Sequence, residues 1–262
     1  MNTDENKIEI QRLTIAYGSN VVMHDINVKV KKGSVFVIMG NSGSGKSTLL
    51  RNMIGLLQPA EGDVLYDGRS FKMMDGEQRR IQLRKCGVLF QNGALWSSMT
   101  LAENVALPLQ EYTDWSPSDV AGVVKLKLAL VGLSGFEGYY PAEISGGMRT
   151  RAGLARAMAL NPEILFFDEP SAGLDPITSR NLDQLILELR DSLGATVVVV
   201  THELASIFTI ADDSIFLDAE TKTMRANGNP KELLKNTTDA KLRAFLTRSE
   251  LPAEPSLRSS IP

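Results

Sequence analysis

One stretch of the sequence, residues 35–54, constrains the fold more than any other. It opens with a run of β-branched, aromatic and other apolar residues, passes through a segment rich in glycine and serine, and ends with apolar side chains at near-helical spacing. That order predicts a strand, a loop and a helix in immediate succession. The fold should therefore be organised around a sheet whose strands lead directly into loops and helices.

The glycine-rich loop matches the pattern G-x-x-x-x-G-K-[ST], with fixed positions at Gly40, Gly45, Lys46 and Ser47. Glycines let the backbone curl so that successive N–H groups point at one anion, and the following helix directs its positive dipole end to the same place. Lys46 would add a charge at the β- and γ-phosphates, and the Ser47 hydroxyl would ligate Mg²⁺. The alternative is a turn that binds nothing, which the flanking strand and helix argue against. The predicted phosphate site comprises Gly40, Asn41, Ser42, Gly43, Ser44, Gly45, Lys46, Ser47 and Thr48.

The composition narrows the class of protein. The chain has 262 residues and a formal net charge of −3, which allows a large core, and it has no concentrated basic stripe of the kind that follows a nucleic-acid backbone. No run approaches the roughly 18 apolar residues of a membrane-spanning helix, and the first residues are polar, unlike a signal peptide. Cys86 is the only cysteine, so no internal disulfide is possible. These features predict a cytosolic protein that does not bind nucleic acid.

Alternating apolar residues before the loop predict two paired strands, at residues 8–16 and 26–30. Tyr17 precedes a Gly-Ser-Asn turn, which would leave its ring at a strand end, where it could stack on a flat base. A single aromatic residue is otherwise expected in the core. After the loop, the helix is predicted to stop near Leu57, because Pro59 cannot continue it.

The next segment leads to a glutamine at a predicted strand end. Residues 61–68 have the composition of a β-hairpin, and a polar helix at residues 78–85 leads into a short strand at residues 87–90. Gln91 ends that strand at the carboxyl edge, where open α/β sheets place their ligands. A single glutamine at a strand end would not by itself indicate a ligand site.

Residues 101–131 follow a helical pattern, which we interpret as an inserted helical segment. Pro108 is expected to break or kink its first helix, and Ser118 to cap the next one. The segment leads to three small residues, Ser145, Gly146 and Gly147. They precede a helix predicted at residues 149–160, so they form either a second anion site at a helix N-terminus or an ordinary cap.

Two carboxylates, Asp168 and Glu169, follow a continuous apolar run at residues 164–167. Such a run suits a strand buried on both faces, and an acidic residue at its carboxyl end suits Mg²⁺ beside a phosphate loop. If both acids lie on an extended strand, their side chains point in different directions, so one can hold the metal while the other acts as a general base. Structural carboxylates at strand ends are common, but this pair is followed by a turn at residues 170–175.

A second buried strand is predicted at residues 195–201, after an amphipathic helix at residues 178–193. His202 lies at its end; a single histidine there is more often structural, but its predicted neighbours favour function. Residues 251–262 contain three prolines and three serines and predict a flexible tail. Between His202 and this tail, the sequence predicts short strands near residues 216 and 223 and helices at residues 231–235 and 240–248.

Taken together and in this order, these elements resemble the ATP-binding-cassette (ABC) ATPases over roughly residues 8–230. The resemblance implies an α/β fold: a P-loop NTPase core with a mainly parallel sheet, an N-terminal antiparallel β sub-domain and a helical sub-domain inserted at about residues 98–160. All of these would belong to one ABC ATPase domain at residues 1–250, followed by the tail.

The resemblance also implies a role for each motif. Carried over residue by residue, these roles are the adenine-stacking aromatic Tyr17, the Walker A loop at residues 40–48, the Q-loop residue Gln91, the signature Ser145-Gly146-Gly147-Met148, the Walker B acid Asp168, the catalytic carboxylate Glu169, the D-loop at residues 171–175 and the switch histidine His202. The implied cofactors are ATP and Mg²⁺. The implied metal ligands are Ser47, Gln91 and Asp168, and the residues implied in hydrolysis are Glu169, His202, Gln91 and Lys46.

In that family two copies close head to tail around two ATP molecules, so that the signature of one meets the γ-phosphate bound by the other. The implied partners are therefore a second copy of the chain and an integral membrane permease. Leu95, Trp96 and Met99 lie where family members receive the permease's coupling helix. An apolar triplet at this position suits either a docking surface or the core of the helical sub-domain.

The sequence departs from the common signature L-S-G-G-Q at Ile144 and Met148. The serine hydroxyl and glycine amides remain, but any hydrogen bond from the usual glutamine is lost. The D-loop also carries an extra glycine, Gly173. With the strings at residues 90–96 and 103–109, these features look like the ATPase subunit of Mla-type systems, which move phospholipid between the membranes of diderm bacteria.

This narrower resemblance implies an ATPase on the cytoplasmic face of the inner membrane, with a periplasmic MCE-type lipid-binding protein and a small cytosolic accessory subunit as further partners. Three alternatives remain: an ABC ATPase for another substrate, a soluble ABC protein acting on DNA or ribosomes, and a P-loop nucleotide kinase. The soluble relatives typically carry two cassettes or a long insertion, which this chain lacks. The signature, the D-loop and His202 argue against a kinase.

Overall fold

A computed structural model of the protein describes residues 5–249, and the tail predicted at residues 251–262 lies outside that range. The strands within it are β1 Asn6–Tyr17, β2 Asn20–Lys31, β3 Val35–Gly40, β4 Glu61–Tyr66, β5 Arg69–Ser70, β6 Cys86–Leu89, β7 Ile164–Asp168, β8 Thr196–Val200, β9 Asp213–Asp218 and β10 Thr223–Asn227. The α-helices are α1 Lys46–Met53, α2 Gly76–Arg84, α3 Leu101–Tyr112, α4 Pro117–Leu130, α5 Gly146–Ala157, α6 Pro176–Leu193, α7 Leu204–Ile210, α8 Pro230–Asn236 and α9 Ala240–Thr247. None of these helices is both long enough and apolar enough to span a bilayer.

The larger sheet has six strands in the order β10-β9-β3-β8-β7-β6. All pairs among β9, β3, β8, β7 and β6 are parallel, and only the edge strand β10 runs antiparallel to its neighbour. Strands β3, β7 and β8 are buried at every position, as expected when helices or a second sheet cover both faces. This confirms the predicted α/β fold with a mainly parallel sheet.

The smaller sheet is antiparallel, in the order β2-β1-β4-β5. Side chains alternate along each half of β1, and an irregularity at Arg12, which has a φ of 46°, shifts the alternation by one residue, so Ile8, Ile10, Leu13 and Ile15 all face inward, each at most 3% exposed. They join a core formed by α1 and one face of the central sheet, including Phe36. The opposite face of that sheet packs against the helices in a separate core. The paired strands predicted at the start of the chain are therefore confirmed.

Helix α1 ends at Met53, so the prediction that it runs to Leu57 was wrong. Gly55 takes a left-handed φ of 73°, and the N–H group of Leu56 donates to the Arg51 carbonyl 2.9 Å away. This is a glycine-terminated helix end, which satisfies the last carbonyls before Pro59 has any influence.

Two further predictions concern the ends of helices in the helical segment. Pro108 lies inside α3, which continues to Tyr112, so the predicted break does not occur there. Helix α4 is capped by Ser116 rather than Ser118: the Ser116 hydroxyl accepts from the Asp119 N–H at 3.2 Å. Proline is well suited to the first helical position because its φ is already fixed, so Pro117 sets the helix start and places Ser118 within the first turn.

Helices α5 and α6 also begin before the predicted positions. Ser145 caps α5 by accepting from the Met148 N–H at 3.2 Å, so the two signature glycines form the first turn of the helix. Asp175 caps α6 by accepting from the N–H groups of Ile177 and Thr178 at 3.0 and 3.1 Å. Both caps satisfy N–H groups that the first helical turn leaves without partners.

A buried carboxyl group joins α6 to α7. Asp183 of α6 is 4% exposed and accepts a hydrogen bond of 2.9 Å from the Ser206 hydroxyl of α7. Burial raises the pKa of Asp183 to about 6, although the Ser206 hydroxyl acts in the opposite direction. Since the unfolded pKa is about 3.9, the folded state binds this proton more tightly. The ionised form therefore destabilises the fold above about pH 6, and stability is regained as the pH falls toward 4.

Asp183→Asn is expected to raise the free energy of unfolding at pH 8 by about 1 kcal/mol, because the amide oxygen can still accept from Ser206 without a buried charge. At pH 5 the gain should largely vanish. Chemical denaturation at the two pH values measures both differences. Asp191→Asn is the control, since Asp191 lies on the same helix but its pKa is lowered by Arg190. An equal gain at both pH values would contradict the assignment.

Candidate nucleotide-binding site

The loop between β3 and α1 forms the floor of the site. Gly40, Gly43 and Gly45 all have positive φ, so the backbone turns in a way that disfavours other residues. At Gly40 an added Cβ would collide with the Leu217 carbonyl oxygen, and at Gly45 it would lie 2.5 Å from the Met23 methyl group. The loop can therefore curl only because glycine occupies these positions.

Lys46 lies at the start of α1 and is 8% exposed. Its ammonium group donates to the carbonyl oxygens of Gly40 and Asn41 at 3.0 and 3.1 Å. Burial lowers the pKa of Lys46, while the carboxylates of Glu169 and Asp168 act in the opposite direction. The cation is thus held within the curl of the loop, where it can exchange its carbonyl partners for phosphate oxygens.

Ser47 and Asp168 form a direct pair across the site. The Ser47 hydroxyl donates to Asp168 Oδ1 at 2.7 Å, which joins the start of α1 to the end of β7. A hydroxyl and a carboxylate are oxygen ligands that suit Mg²⁺, and this cation commonly keeps few protein ligands beside substrate phosphates. Within residues 5–249 no group of three or more His, Cys, Asp or Glu side chains is arranged to hold a metal, so a cation here would depend on this pair and on the bound phosphates.

Glu169 leaves the strand rather than extending it. Strand β7 ends at Asp168 and Glu169 has a φ of 49°, so the prediction that both acids lie on an extended strand was wrong. The two side chains diverge because the backbone passes from an extended conformation at Asp168 to a left-handed one at Glu169. The Glu169 N–H donates to the Val200 carbonyl at 2.9 Å, and this bond to β8 holds the turn. A non-glycine residue in this conformation stores strain that the surrounding structure must hold.

The Glu169 carboxylate has one partnered and one free oxygen. Oε1 lies 3.0 Å from His202 Nδ1, and Oε2 is buried with no hydrogen-bond partner among the described residues. A buried carboxylate oxygen without a partner is unfavourable unless a water or ligand reaches it. The geometry therefore offers a strong acceptor for the proton of one small molecule, with His202 fixing the orientation of the carboxylate.

Lys46, Glu169 and His202 line one cleft of about 880 Å³. From the motifs predicted by sequence, the structure brings to its walls Asn41, Ser42, Lys46, Gln91, Glu169 and His202. These residues meet because β3, β8, β7 and β6 are consecutive parallel strands of one sheet, so their carboxyl ends lie along the same edge. Gln91 is exposed and follows β6 at the start of a tight turn, Gln91–Ala94.

Other predicted site residues do not line this cleft. Tyr17 ends β1 and is 51% exposed. Ser145 is exposed at the start of α5, with Gly146 and Gly147 half-buried in its first turn. The Gly147 backbone packs on α6, where an added Cβ would lie 2.7 Å from a methyl group of Thr178. A site that uses Ser145 and these glycines must therefore be completed by another molecule.

Sequence reasoning missed the far wall of the cleft. It is formed by the end of β9 and by α9, with Asp218, Glu220, Lys241, Phe245 and Arg248. Glu203, beside His202, also lines it and pairs with Arg248 at 3.1 Å. No motif marks these positions, because they meet the phosphate loop only through the folding of a distant helix.

The fold and the cleft are those of a nucleotide-binding α/β protein, and comparison with known proteins identifies its family. The family model described as "ABC transporter" matches residues 23–172, and the chain belongs to that family. Two groups of curated relatives resemble this chain over about nine tenths of its length. It is 41% identical to the probable ribonucleotide transport ATP-binding protein mkl of Mycobacterium tuberculosis. The alignment spans 239 residues, which are 91% of this chain and 66% of that protein. Over 241 residues it is 39% identical to the intermembrane phospholipid transport system ATP-binding protein MlaF of Escherichia coli, covering 92% and 88%.

Solved structures agree with the fold. A dimeric post-hydrolysis state of the ATP-binding cassette MJ0796, bound to ADP and Pi, matches with a TM-score of 0.77 and 31% identity over 85% of this chain and 98% of that one. The protein cbiO1 of Clostridium perfringens, part of the ABC transporter complex cbiONQ, matches with a TM-score of 0.80 and 25% identity over 88% and 92%. The resemblance to ABC ATPases and the fold predicted from it are confirmed.

Proposed function

We propose that this protein binds ATP with Mg²⁺, hydrolyses it as a homodimer, and thereby drives a membrane permease that moves phospholipids between bacterial membranes. The observation that carries the proposal is the sheet edge where Lys46, Glu169 and His202 line one cleft, with the hydrogen-bonded Ser47–Asp168 pair next to them in the chain. The similarity to MlaF across most of both chains supports phospholipid as the cargo.

In this mechanism each protein group has one task. The amides of the loop and Lys46 bind the β- and γ-phosphates. Ser47, Asp168 and Gln91 would hold Mg²⁺, which supplies charge neutralisation at the phosphates. Glu169 orients a water through its free Oε2 and accepts the proton, and His202 keeps the carboxylate in position.

A second copy of the chain completes the site. Ser145, Gly146 and Gly147 lie outside their own cleft, yet the first turn of a helix, with its N–H groups and the hydroxyl of Ser145 beside them, is suited to an anion. The dimeric state of the related cassette MJ0796 supports a head-to-tail pair in which these residues reach the partner's ATP. Tyr17, exposed at the end of β1, would stack on the adenine.

The permease is proposed to dock near Trp96. In the predicted triplet, Leu95 and Met99 are half-buried, and Leu95 packs on the helical core. Trp96 is 59% exposed, although its backbone is held on both sides by Asn104. A large exposed aromatic on a fixed backbone is well suited to anchor an interface.

Trp96→Ala is expected to weaken co-purification of this chain with its permease from solubilised membranes by at least tenfold, while leaving ATP binding unchanged. Trp115→Ala is the matched control, because Trp115 is also exposed, at 47%, but lies beyond α3. Equal loss in both variants, or in neither, would argue against docking at Trp96.

We place the assembly on the cytoplasmic face of the inner membrane, with an MCE-type periplasmic lipid-binding protein and a small accessory subunit. The test is ATP-dependent transfer of labelled phospholipid between liposomes by the purified complex. The mkl relatives favour a second candidate cargo, ribonucleotides, so labelled ribonucleotide uptake is measured in parallel. Transfer of neither cargo, with ATP hydrolysis intact, would leave an ABC ATPase with a different substrate.

A further inference from the structure

The loop that begins at Gln91 has an unusual backbone. Three consecutive residues, Asn92, Gly93 and Ala94, have positive φ values of 57°, 79° and 44°. For a residue other than glycine this conformation is unfavourable by roughly 1 kcal/mol or more, so the surroundings must hold the loop in place. Gln91 is the first residue of this turn and faces the cleft, so whatever holds the turn also determines where its amide lies.

Arg156, in the last turn of α5, holds the carbonyl end of the turn. Its guanidinium donates to the Gly93 oxygen at 2.8 Å and to the Ala94 oxygen at 2.9 Å. Hydrogen bonds from a charged donor are stronger than neutral ones, and two in a fixed fork also define orientation. Arg156 does not line the nucleotide cleft, so it can influence hydrolysis only through another residue.

The backbones of the loop and α5 are also in direct contact. A Cβ added at Gly153 would lie 2.7 Å from Gly93 Cα and 2.8 Å from its oxygen. A Cβ added at Gly93 would lie 2.5 Å from the Arg149 carbonyl oxygen. Two glycines thus allow the loop to lie flat on the same helix that Arg156 uses to hold it.

The second half of the loop is fixed to α3. Asn104 is completely buried and its side chain accepts from the Trp96 N–H at 2.8 Å. Its amide nitrogen donates to the carbonyls of Trp96, Met99 and Thr100 at 2.9 to 3.1 Å. Residues 92–100 are therefore bound at one end to α5 and at the other end to α3.

We infer that Arg156 is a positioning residue for Gln91. It binds the turn that begins at Gln91 to α5, the helix that Ser145 caps, and so fixes where the Gln91 amide lies relative to the phosphate loop. The inference rests on the proposed function in one respect, namely that Gln91 acts on the bound nucleotide. Arg156 lies outside the cleft, and its loss should impair turnover. ATP binding should be spared, because Lys46 and its loop belong to the central sheet.

Arg156→Gln is expected to lower kcat about tenfold, with the KM for ATP within about twofold, since it removes two charge-assisted hydrogen bonds from the loop. Arg151→Gln is the matched control. Arg151 lies on the same helix and also donates to carbonyls, those of Val131 at 3.0 Å and Gly132 at 3.4 Å, but these lie at the end of α4. It should lower kcat by less than about twofold. Steady-state ATP hydrolysis by the full chain in its membrane complex measures both.

A double-mutant cycle decides whether Arg156 acts through Gln91. In a Gln91→Ala background, Arg156→Gln should cause little further loss, whereas independent residues would give multiplied losses. Gly153→Ala supplies a second variant that retains the guanidinium but forces the loop away, and its loss should also disappear in that background. Multiplied losses, or equal losses in Arg156→Gln and Arg151→Gln, would overturn the inference.

The same assay separates this inference from the proposed function. Glu169→Gln is measured alongside, because it depends on the catalytic assignment alone. If Glu169→Gln hydrolyses ATP normally, the proposed function fails. If Glu169→Gln is inactive but the cycle between Arg156 and Gln91 is multiplicative, only the positioning role is lost.

Discussion

Replacing Glu169 with glutamine is expected to lower the rate of ATP hydrolysis by about 10²- to 10⁴-fold, the usual loss when a general base is removed, while ATP still binds. The glutamine keeps the size of the side chain and can still face His202 Nδ1, 3.0 Å from the present carboxylate oxygen. It removes only the basicity of Oε2, the buried oxygen that has no partner among the described residues. The variant should therefore accumulate as a closed dimer with two trapped nucleotides.

Asp168→Asn is the matched comparison, because it removes one charge from the adjacent residue. Asp168 accepts from the Ser47 hydroxyl at 2.7 Å, so its loss should impair Mg²⁺ and nucleotide binding and show no trapping. Size-exclusion chromatography with Mg-ATP and hydrolysis rates measure both, on the isolated chain and on the complex. Rapid hydrolysis by Glu169→Gln in the complex, or trapping by Asp168→Asn, would show that the division of roles is wrong.

Lys46→Ala is expected to weaken ATP binding by about 10- to 100-fold, the effect of losing a hydrogen bond between charged groups. The fold should survive, because Lys46 contacts only two carbonyls of its own loop and the glycines that shape that loop remain. Equilibrium titration with a fluorescent ATP analogue gives the affinity, and circular dichroism checks the fold.

Lys127→Ala provides a control for the loss of a buried lysine. Lys127 is 5% exposed, its pKa is lowered by burial, and it donates to Asn161 Oδ1 at 2.5 Å, but it lies in α4 and outside the cleft. This variant should bind ATP normally even if its stability falls. Unchanged affinity in Lys46→Ala would remove the lysine from the phosphate site.

Local features of this protein could be predicted because they depend on short-range chemistry. The strand–loop–helix at residues 35–54 follows from buried β-branched residues, from glycines that alone permit the loop, and from apolar residues at helical spacing. The same holds for the alternating strand β1 and the buried strands β7 and β8, whose patterns specify both strand and burial. Together with the motifs at Gln91, residues 145–148, residues 171–175 and His202, these elements were sufficient to predict the fold and its family.

Exact helix ends were predicted less well, because several residues nearby could serve the same purpose. Gly55 terminates α1 before Pro59 can, and Pro117 selects Ser116 over Ser118 as the cap of α4. Each choice is a competition between capping patterns a few residues apart, which differ by about 1 kcal/mol.

Tertiary structure alone decided which distant residues meet. The left-handed turn at Glu169 is held by β8, thirty or so residues further along the chain, and no pattern around Glu169 indicates it. The far wall of the cleft comes from α9, and the turn that carries Gln91 is held by Arg156 of α5. Sequence determined this protein's elements and its phosphate loop, because those depend on neighbouring residues. The orientation of the catalytic groups depends on contacts between segments far apart in the chain, which exist only once the sheets and helices have packed.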